Sequence, residues 1–347
     1  MAKLNKMKPV YRQILKFFGF LLLTVLLFWL VYRDQDPANL MTILQNDVDY
    51  TWVWIAIILG LLSHVSRALR WRLVASSMGY DISFANSFMG VMIGYFANMV
   101  IPRMGEFTRC GVVSKYEHIP FSKLLGTVVT ERVIDMLMLL FLTLVVIVTQ
   151  FGQVEMFLEE NETIRERIYY LCTSPVTWGV LGFLVVVFVG LAWYLRRGTF
   201  FMRFHHFLSG VKEGLLSVRH VKHKGLFWFH SVFIWLMYYL MLYLCFFCFD
   251  FTSGLTPLVG LTVFVISSYG MVAPVQGGVG AYHFMVIAAL ALYLPNDPET
   301  ESLSKVFALL THGTMTLLYI VVGCICLLVL PLYNRNKHKY GDHKKVF

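Results

Sequence analysis

Residues 98–109 read Asn98-Met99-Val100-Ile101-Pro102-Arg103-Met104-Gly105-Glu106-Phe107-Thr108-Arg109. An apolar stretch runs into a proline, and three charged residues, Arg103, Glu106 and Arg109, follow at once. A related phrase stands 172 residues later: Met271-Val272-Ala273-Pro274-Val275-Gln276-Gly277. Both copies fit Met-Val-x-Pro-x-x-Gly, and both interrupt a hydrophobic segment. Interrupted segments at corresponding places in two halves of a chain are a pointer to a transporter's binding site. The rest of the sequence is read around this pair.

Of 347 residues, 58% are hydrophobic and 14% charged, where a soluble domain carries roughly 25% charged residues. This is the composition of an integral membrane protein. The net charge of +9 gathers at both ends and in one central loop, which suits membrane orientation better than a nucleic-acid groove. The six cysteines read as packing residues of membrane helices, not as a disulfide frame, although Cys245 and Cys248 have redox-motif spacing.

Basic residues before Phe17 place the first span, Phe17 to Tyr32, with its start in the cytoplasm. The loop Arg33 to Thr51 is acidic and outside. Trp52 to Ser66 returns, and Arg67, Arg70 and Arg72 are assigned to the cytoplasmic end. Ile82 to Pro102 is long enough to cross, since ~20 helical residues make ~30 Å, but a crossing would put the basic stretch Arg103 to Lys123 outside. A re-entrant hairpin broken near Pro102 removes the conflict. Irregular backbone at that depth must line protein or a cavity.

Lys123 to Gln150 leads out, an acidic loop follows, and Val176 to Leu195 leads back. Residues 196–224 hold seven Lys or Arg against one Glu and form a basic cytoplasmic loop. Gly225 to Phe249 leads out. Pro257 to Ala273 and Gly280 to Leu294 flank Pro274 as a second hairpin, and Val306 to Leu330 returns to a basic tail. The reading is an all-α polytopic protein of six to eight spans, counted from the loop charges of the sequence. Two broken hairpins sit in an inverted repeat of units 52–150 and 225–330, with both termini in the cytoplasm.

Charges at membrane depth are costly and by default functional. The candidates are Arg103, Glu106, Arg109, Glu131, Arg132 and Asp135. Glu131 and Asp135 share one helix face, and paired carboxylates in a low-dielectric site tend to hold a proton, which suits proton coupling or gating. Arginine forks match phosphate oxygens. The alternative is that Arg132 or Arg103 pairs with these acids to hold the hairpin against the span. In the second hairpin Gln276, Gly277, Gly278 and Gly280 offer a close backbone approach to a ligand, and amides near Gly280 offer an anion site, against the simpler reading of a tight turn. No metal spacing and no nucleotide-binding loop is present, so no cofactor and no metal is expected.

Together, Ser66-Arg67-Ala68-Leu69-Arg70-Trp71-Arg72, the segment 98–109, Glu131-Arg132-Val133-Ile134-Asp135 and Pro274 to Tyr282 resemble the membrane region of the lysylphosphatidylglycerol synthases. That region also occurs alone, as a flippase-like family. The resemblance covers roughly residues 15–330 and implies movement of a lipid, or of a lipid-linked sugar, between leaflets of an inner membrane. It points by position to the six charged residues above and to Pro274, Gly277, Gly278 and Gly280. In the synthases a soluble aminoacyl-transferring domain follows, whereas this chain ends about 17 residues after its last apolar run, so tRNA-dependent aminoacylation is not expected of it.

The expected partners are membrane lipids, either an anionic phospholipid or a polyprenyl-phosphate-linked sugar, and not nucleic acid. Arg103 and Arg109 are expected to hold phosphate, and Glu131→Gln to abolish transport without unfolding the protein. A lipid-modifying enzyme and a non-transporting partner of an envelope-biosynthesis enzyme are the other two classes.

Overall fold

The computed structural model describes residues 9–160, 165–166, 169–170, 173–195, 221–295 and 297–342, so most of the basic loop 196–224 lies outside the described residues. The described chain is helical throughout. Helix α1 is Pro9–Tyr32 and α2 is Pro37–Asn46. The two meet at a bend of 77°. The acidic loop thus contains a helix, announced by Asp36-Pro37: the Asp36 carboxylate accepts from the Ala38 amide at 2.9 Å, and proline occupies the first turn, where its missing N–H costs nothing.

Helix α3 is Tyr50–Ser76 and runs ten residues past Ser66, where the span read from the sequence ends. The span does not end before Arg67 and Arg70; the helix continues through them and both are buried within it, because carboxylates on another helix meet them. Helices α4, Phe84–Val100, and α5, Gly105–Glu117, form the first hairpin. Helix α6, Phe121–Glu160, bends where Gln150 leaves helical geometry and carries Glu155 and Glu159 on its extension. Helix α7 is Pro175–Leu195 and α8 is Lys224–Leu244. Cys245 and Cys248 lie buried in the 3-10 turn that ends α8, within the main apolar core.

Helices α9, Pro257–Val272, and α10, Ala281–Leu290, are the legs of the second hairpin. The last helix, α11, is Pro298–Asp342. It starts earlier than expected because Asp297 caps it, accepting from the Glu299 and Thr300 amides at 3.1 and 2.9 Å. Among the described residues, four helices are long and apolar enough to cross a membrane, or five if the bent α1–α2 pair is one span. The shorter apolar helices α4 and α9 belong to the hairpins.

Contacts give the course of these helices. Along α3, Trp52 packs against Phe247, Ser66 bonds His230 at 2.8 Å and Arg70 bonds Ser231 at 3.3 Å. Numbers rise on α3 as they fall toward the start of α8, so the two run antiparallel. Helices α4 and α11 are antiparallel as well: Asn86 bonds Asn334, while Tyr95 stacks on Tyr319 at 4.7 Å.

Candidate functional site

The charged cluster begins with helix periodicity. On α6, Glu131 and Asp135 stand one turn apart and face α3, where Arg67 and Arg70 also stand one turn apart. Arg67 Nη1 meets Asp135 Oδ2 at 3.0 Å, and Arg70 Nη2 meets Asp135 Oδ1 at 2.8 Å. Arg70 Nε lies 3.4 Å from Glu131 Oε1, and Arg109 from α5 pairs with the other Glu131 oxygen. Glu131 and Arg70 are both 0% exposed.

Small residues let α5 deliver Arg109. A Cβ on Gly94 would stand 2.9 Å from the Gly105 carbonyl, and one on Gly105 would stand 2.3 Å from the Gly94 carbonyl. The hairpin legs therefore touch backbone to backbone. Arg109 then lies over the Trp71 ring at 4.7 Å, and the Trp71 indole donates to Thr127 Oγ1 at 2.8 Å. Cation–π contact and ion pairing hold one guanidinium from two sides.

The two breaks meet. Helix α4 ends at Val100 and α9 at Val272; Ile101 and Ala273, each before a proline, are extended, as pre-proline residues prefer to be. Arg103 donates to the Val272 carbonyl. Gln276 Nε2 donates to the Val100 carbonyl at 3.0 Å. Terminal helix carbonyls lack intrahelical partners, and here each hairpin supplies the other's. The Gln276 amide donates to Thr24 Oγ1 of α1 at 3.1 Å, and the Gly105 amide to Asn98 Oδ1 at 2.7 Å.

Beside the breaks lies a cavity of about 520 Å³. Its polar side has Arg67, Asn98, Arg103, Glu106, Arg132 and Asp135; its apolar side includes Leu139, Trp235, Met241, Phe264, Met271 and Met315. Arg132 is half exposed there, with Nη2 at 3.2 Å from Glu106 Oε1 and Nη1 at 3.8 Å from Asp135 Oδ2. The Tyr95 and Tyr238 hydroxyls, 3.0 Å apart, line the cavity wall.

The residues singled out from the sequence are thus distributed unequally. Arg103, Glu106, Arg132, Asp135, Gly277 and Gly278 line the cavity. Arg109 and Glu131 lie outside that lining, buried in the ion-pair cluster. Pro102 and Pro274 stand at the breaks, and Gln276 ties the hairpins together. Gly280 faces α1, since a Cβ there would stand 2.6 Å from Leu27 Cβ and 2.9 Å from the Phe28 amide nitrogen. Helix α1 occupies the approach to that glycine which the sequence suggested for a ligand. Arg67 and Arg70 were missed as site residues; their spacing, the complement of Glu131 and Asp135, was the available signal. His64 and His312 belong to separate ring clusters, the first with Tyr95 and Tyr319, the second with Tyr282 and His283.

Comparison with known proteins agrees with this architecture. The chain is 40% identical to UPF0104 membrane protein MJ1595 of Methanocaldococcus jannaschii over 99 residues, 28% of this chain and 30% of that protein. It is 31% identical to Glycosyltransferase AglD of Haloferax volcanii over 129 residues, 37% of this chain and 20% of that protein. These matches span less than a third of either relative. No solved structure matches the chain. Residues 16–323 match the lysylphosphatidylglycerol synthase TM region, and with most of its length covered the chain belongs to that family of multi-pass membrane proteins.

Proposed function

We propose that this protein moves an anionic lipid, or a lipid-linked glycan, between the leaflets of the inner membrane. The observation that carries the reading is a two-sided cavity beside the meeting point of two broken hairpins: charged and amide groups on one side, Met, Leu and Phe on the other. A lipid has that same division. Its phosphate meets Arg103 and Arg132, whose forks of donors match phosphate oxygens, while its chains follow the apolar wall toward the bilayer.

Units 52–150 and 225–330 act as two bodies of opposite orientation, with both termini in the cytoplasm. Head-group entry draws Arg103 from the Val272 carbonyl and Arg132 from Glu106, loosening the contact between hairpins. Glu106, engaged by Arg132, serves as the gate and a proton it takes is the coupling step, while Arg67 and Arg70 keep Asp135 charged beside it. Glu131 anchors the cluster behind them.

The test is lipid movement in proteoliposomes containing purified protein, with head-group-labelled lipids supplied one at a time, with and without a proton gradient. Movement that depends on protein and fails in Arg132→Ala supports the reading. No movement of any lipid by folded protein ends it. A second reading, service to an envelope lipid enzyme, draws on the match to a relative named as a glycosyltransferase. A stable co-purifying enzyme, with no lipid movement, would favour it.

A further inference from the structure

We infer that the cavity takes a phosphoryl group bearing two negative charges, on a lipid, in preference to a singly charged phosphodiester. The inference rests on the translocase reading and narrows its cargo. The cavity lining and the ion-pair cluster behind it contain five guanidiniums, Arg67, Arg70, Arg103, Arg109 and Arg132. Against them stand three carboxylates, Glu106, Glu131 and Asp135. Among the described residues, no Lys, Asp or Glu beyond these lines the cavity. The site therefore has two positive charges in excess.

One of the two charges lies in the buried cluster, where Arg67, Arg70 and Arg109 face Glu131 and Asp135, and the other lies toward the cavity, where Arg103 and Arg132 face Glu106. Glu131 is engaged by Arg70 and Arg109, and Asp135 by Arg67 and Arg70. Glu106 is engaged by Arg132. Arg103 donates to a neutral carbonyl and pairs with no carboxylate among the described residues. Arg132 is 45% exposed as a side chain, and it lies 3.2 Å from Glu106 and 3.8 Å from Asp135. An occupant with two negative charges balances the excess that a single charge leaves half balanced.

Donor geometry points the same way. A terminal phosphoryl group presents three free oxygens to two guanidinium forks, whereas a diester has one oxygen fewer to offer. The shared chemistry is a dianionic phosphate. The apolar wall of Leu139, Met241, Phe264 and Met315 argues that it arrives on a lipid and not as a free ion.

The test compares two lipids that differ by one methyl group and one charge. Purified full-length protein in neutral detergent is titrated at pH 8 with fluorescent phosphatidic acid and with fluorescent phosphatidylmethanol of the same chains. Binding is read by polarisation, and inorganic phosphate is added as a competitor. Phosphatidic acid is expected to bind about tenfold more tightly, the scale of one added charge near a partly screened cation. Arg103→Gln should bring the two lipids close to parity. Glu106→Gln, which adds to the positive excess, should widen the gap.

Equal binding of both lipids, with Arg132→Ala still blocking movement in proteoliposomes, overturns the charge preference and leaves the translocase standing. Displacement by inorganic phosphate at concentrations matching the lipid overturns the lipid source. Binding of neither lipid by folded protein overturns this inference and counts against the translocase as well.

Discussion

Gln276 donates its side-chain amide to the carbonyl of Val100 at 3.0 Å, and the relation is returned across the cavity mouth by Arg103, which donates to Val272. Val100 and Val272 occupy the same place in the repeated phrase Met-Val-x-Pro-x-x-Gly. Each hairpin therefore closes the open carbonyl end of the other. Such a bond is worth about 1 kcal/mol net, enough to hold two elements together and little enough for a ligand to break.

Loss of both bonds should loosen the hairpin tips without unfolding the protein. Met99 lies against Gly277 across this contact. In a cysteine-free background, a Met99→Cys variant should react slowly with a membrane-permeant maleimide. Adding Gln276→Ala and Arg103→Met should speed that labelling severalfold. Unchanged labelling would show that the tips are held by packing alone.

Glu131 calls for a different expectation from the one the sequence suggested. It is fully buried between Arg70 and Arg109 and does not touch the cavity. Removing one partner of a buried ion pair leaves an uncompensated charge, at a cost of about 3–5 kcal/mol. Glu131→Gln should therefore lower thermal stability and yield, so lost transport in that variant reports folding. Arg132→Ala, at a half-exposed position, should change stability little and transport much. Size-exclusion profiles and thermal scans of the two variants, side by side, check this contrast.

The hairpin breaks were legible because proline leaves a local mark: it ends a helix and extends the residue before it. Both breaks fall where Pro102 and Pro274 place them. The length of α3 was not legible. Arg67 and Arg70 carry the same charge whether they face cytoplasm or a buried carboxylate, and loop-charge rules assume the former. Only the packing of α3 against α6 decides between them. The links from Arg103 and Gln276 to backbone carbonyls have no sequence signature, because every residue offers a carbonyl. Gly280 was legible as a place of close approach, but the missing Cβ serves a ligand and a helix backbone alike. Asp36-Pro37 did announce a helix start, and the acidic composition around it drew the reading toward a loop.

Gly280 gives a sharp stability test. Its φ is +80°, a region that side-chain-bearing residues avoid, and an added Cβ would stand 2.6 Å from Leu27 Cβ. Gly280→Ala should cost more than about 1 kcal/mol and loosen α1 from the second hairpin. Gly111, inside α5, has no atom within 4 Å of an added Cβ, and Gly111→Ala should stabilise by about 0.5–1 kcal/mol. Opposite shifts in thermal midpoint would confirm that α1 is packed backbone to backbone on Gly280. Equal shifts would refute it.

Whether cargo passes through this cavity can be settled by filling it. Ser268 lines the apolar side, and its hydroxyl returns only to the Phe264 carbonyl of its own helix at 2.7 Å. Among the described residues, its replacement removes no hydrogen bond between helices. Ser268→Trp would place an indole in a space of about 520 Å³, large enough to receive the ring and small enough to be obstructed by it. Lipid movement should fall to background while the thermal midpoint stays within a few degrees, about 1 kcal/mol in stability. Ser253→Trp, on an exposed helical turn, supplies the control for the added ring and should move lipid normally. Normal movement by folded Ser268→Trp would place the route elsewhere and remove the cavity's charged residues from the mechanism.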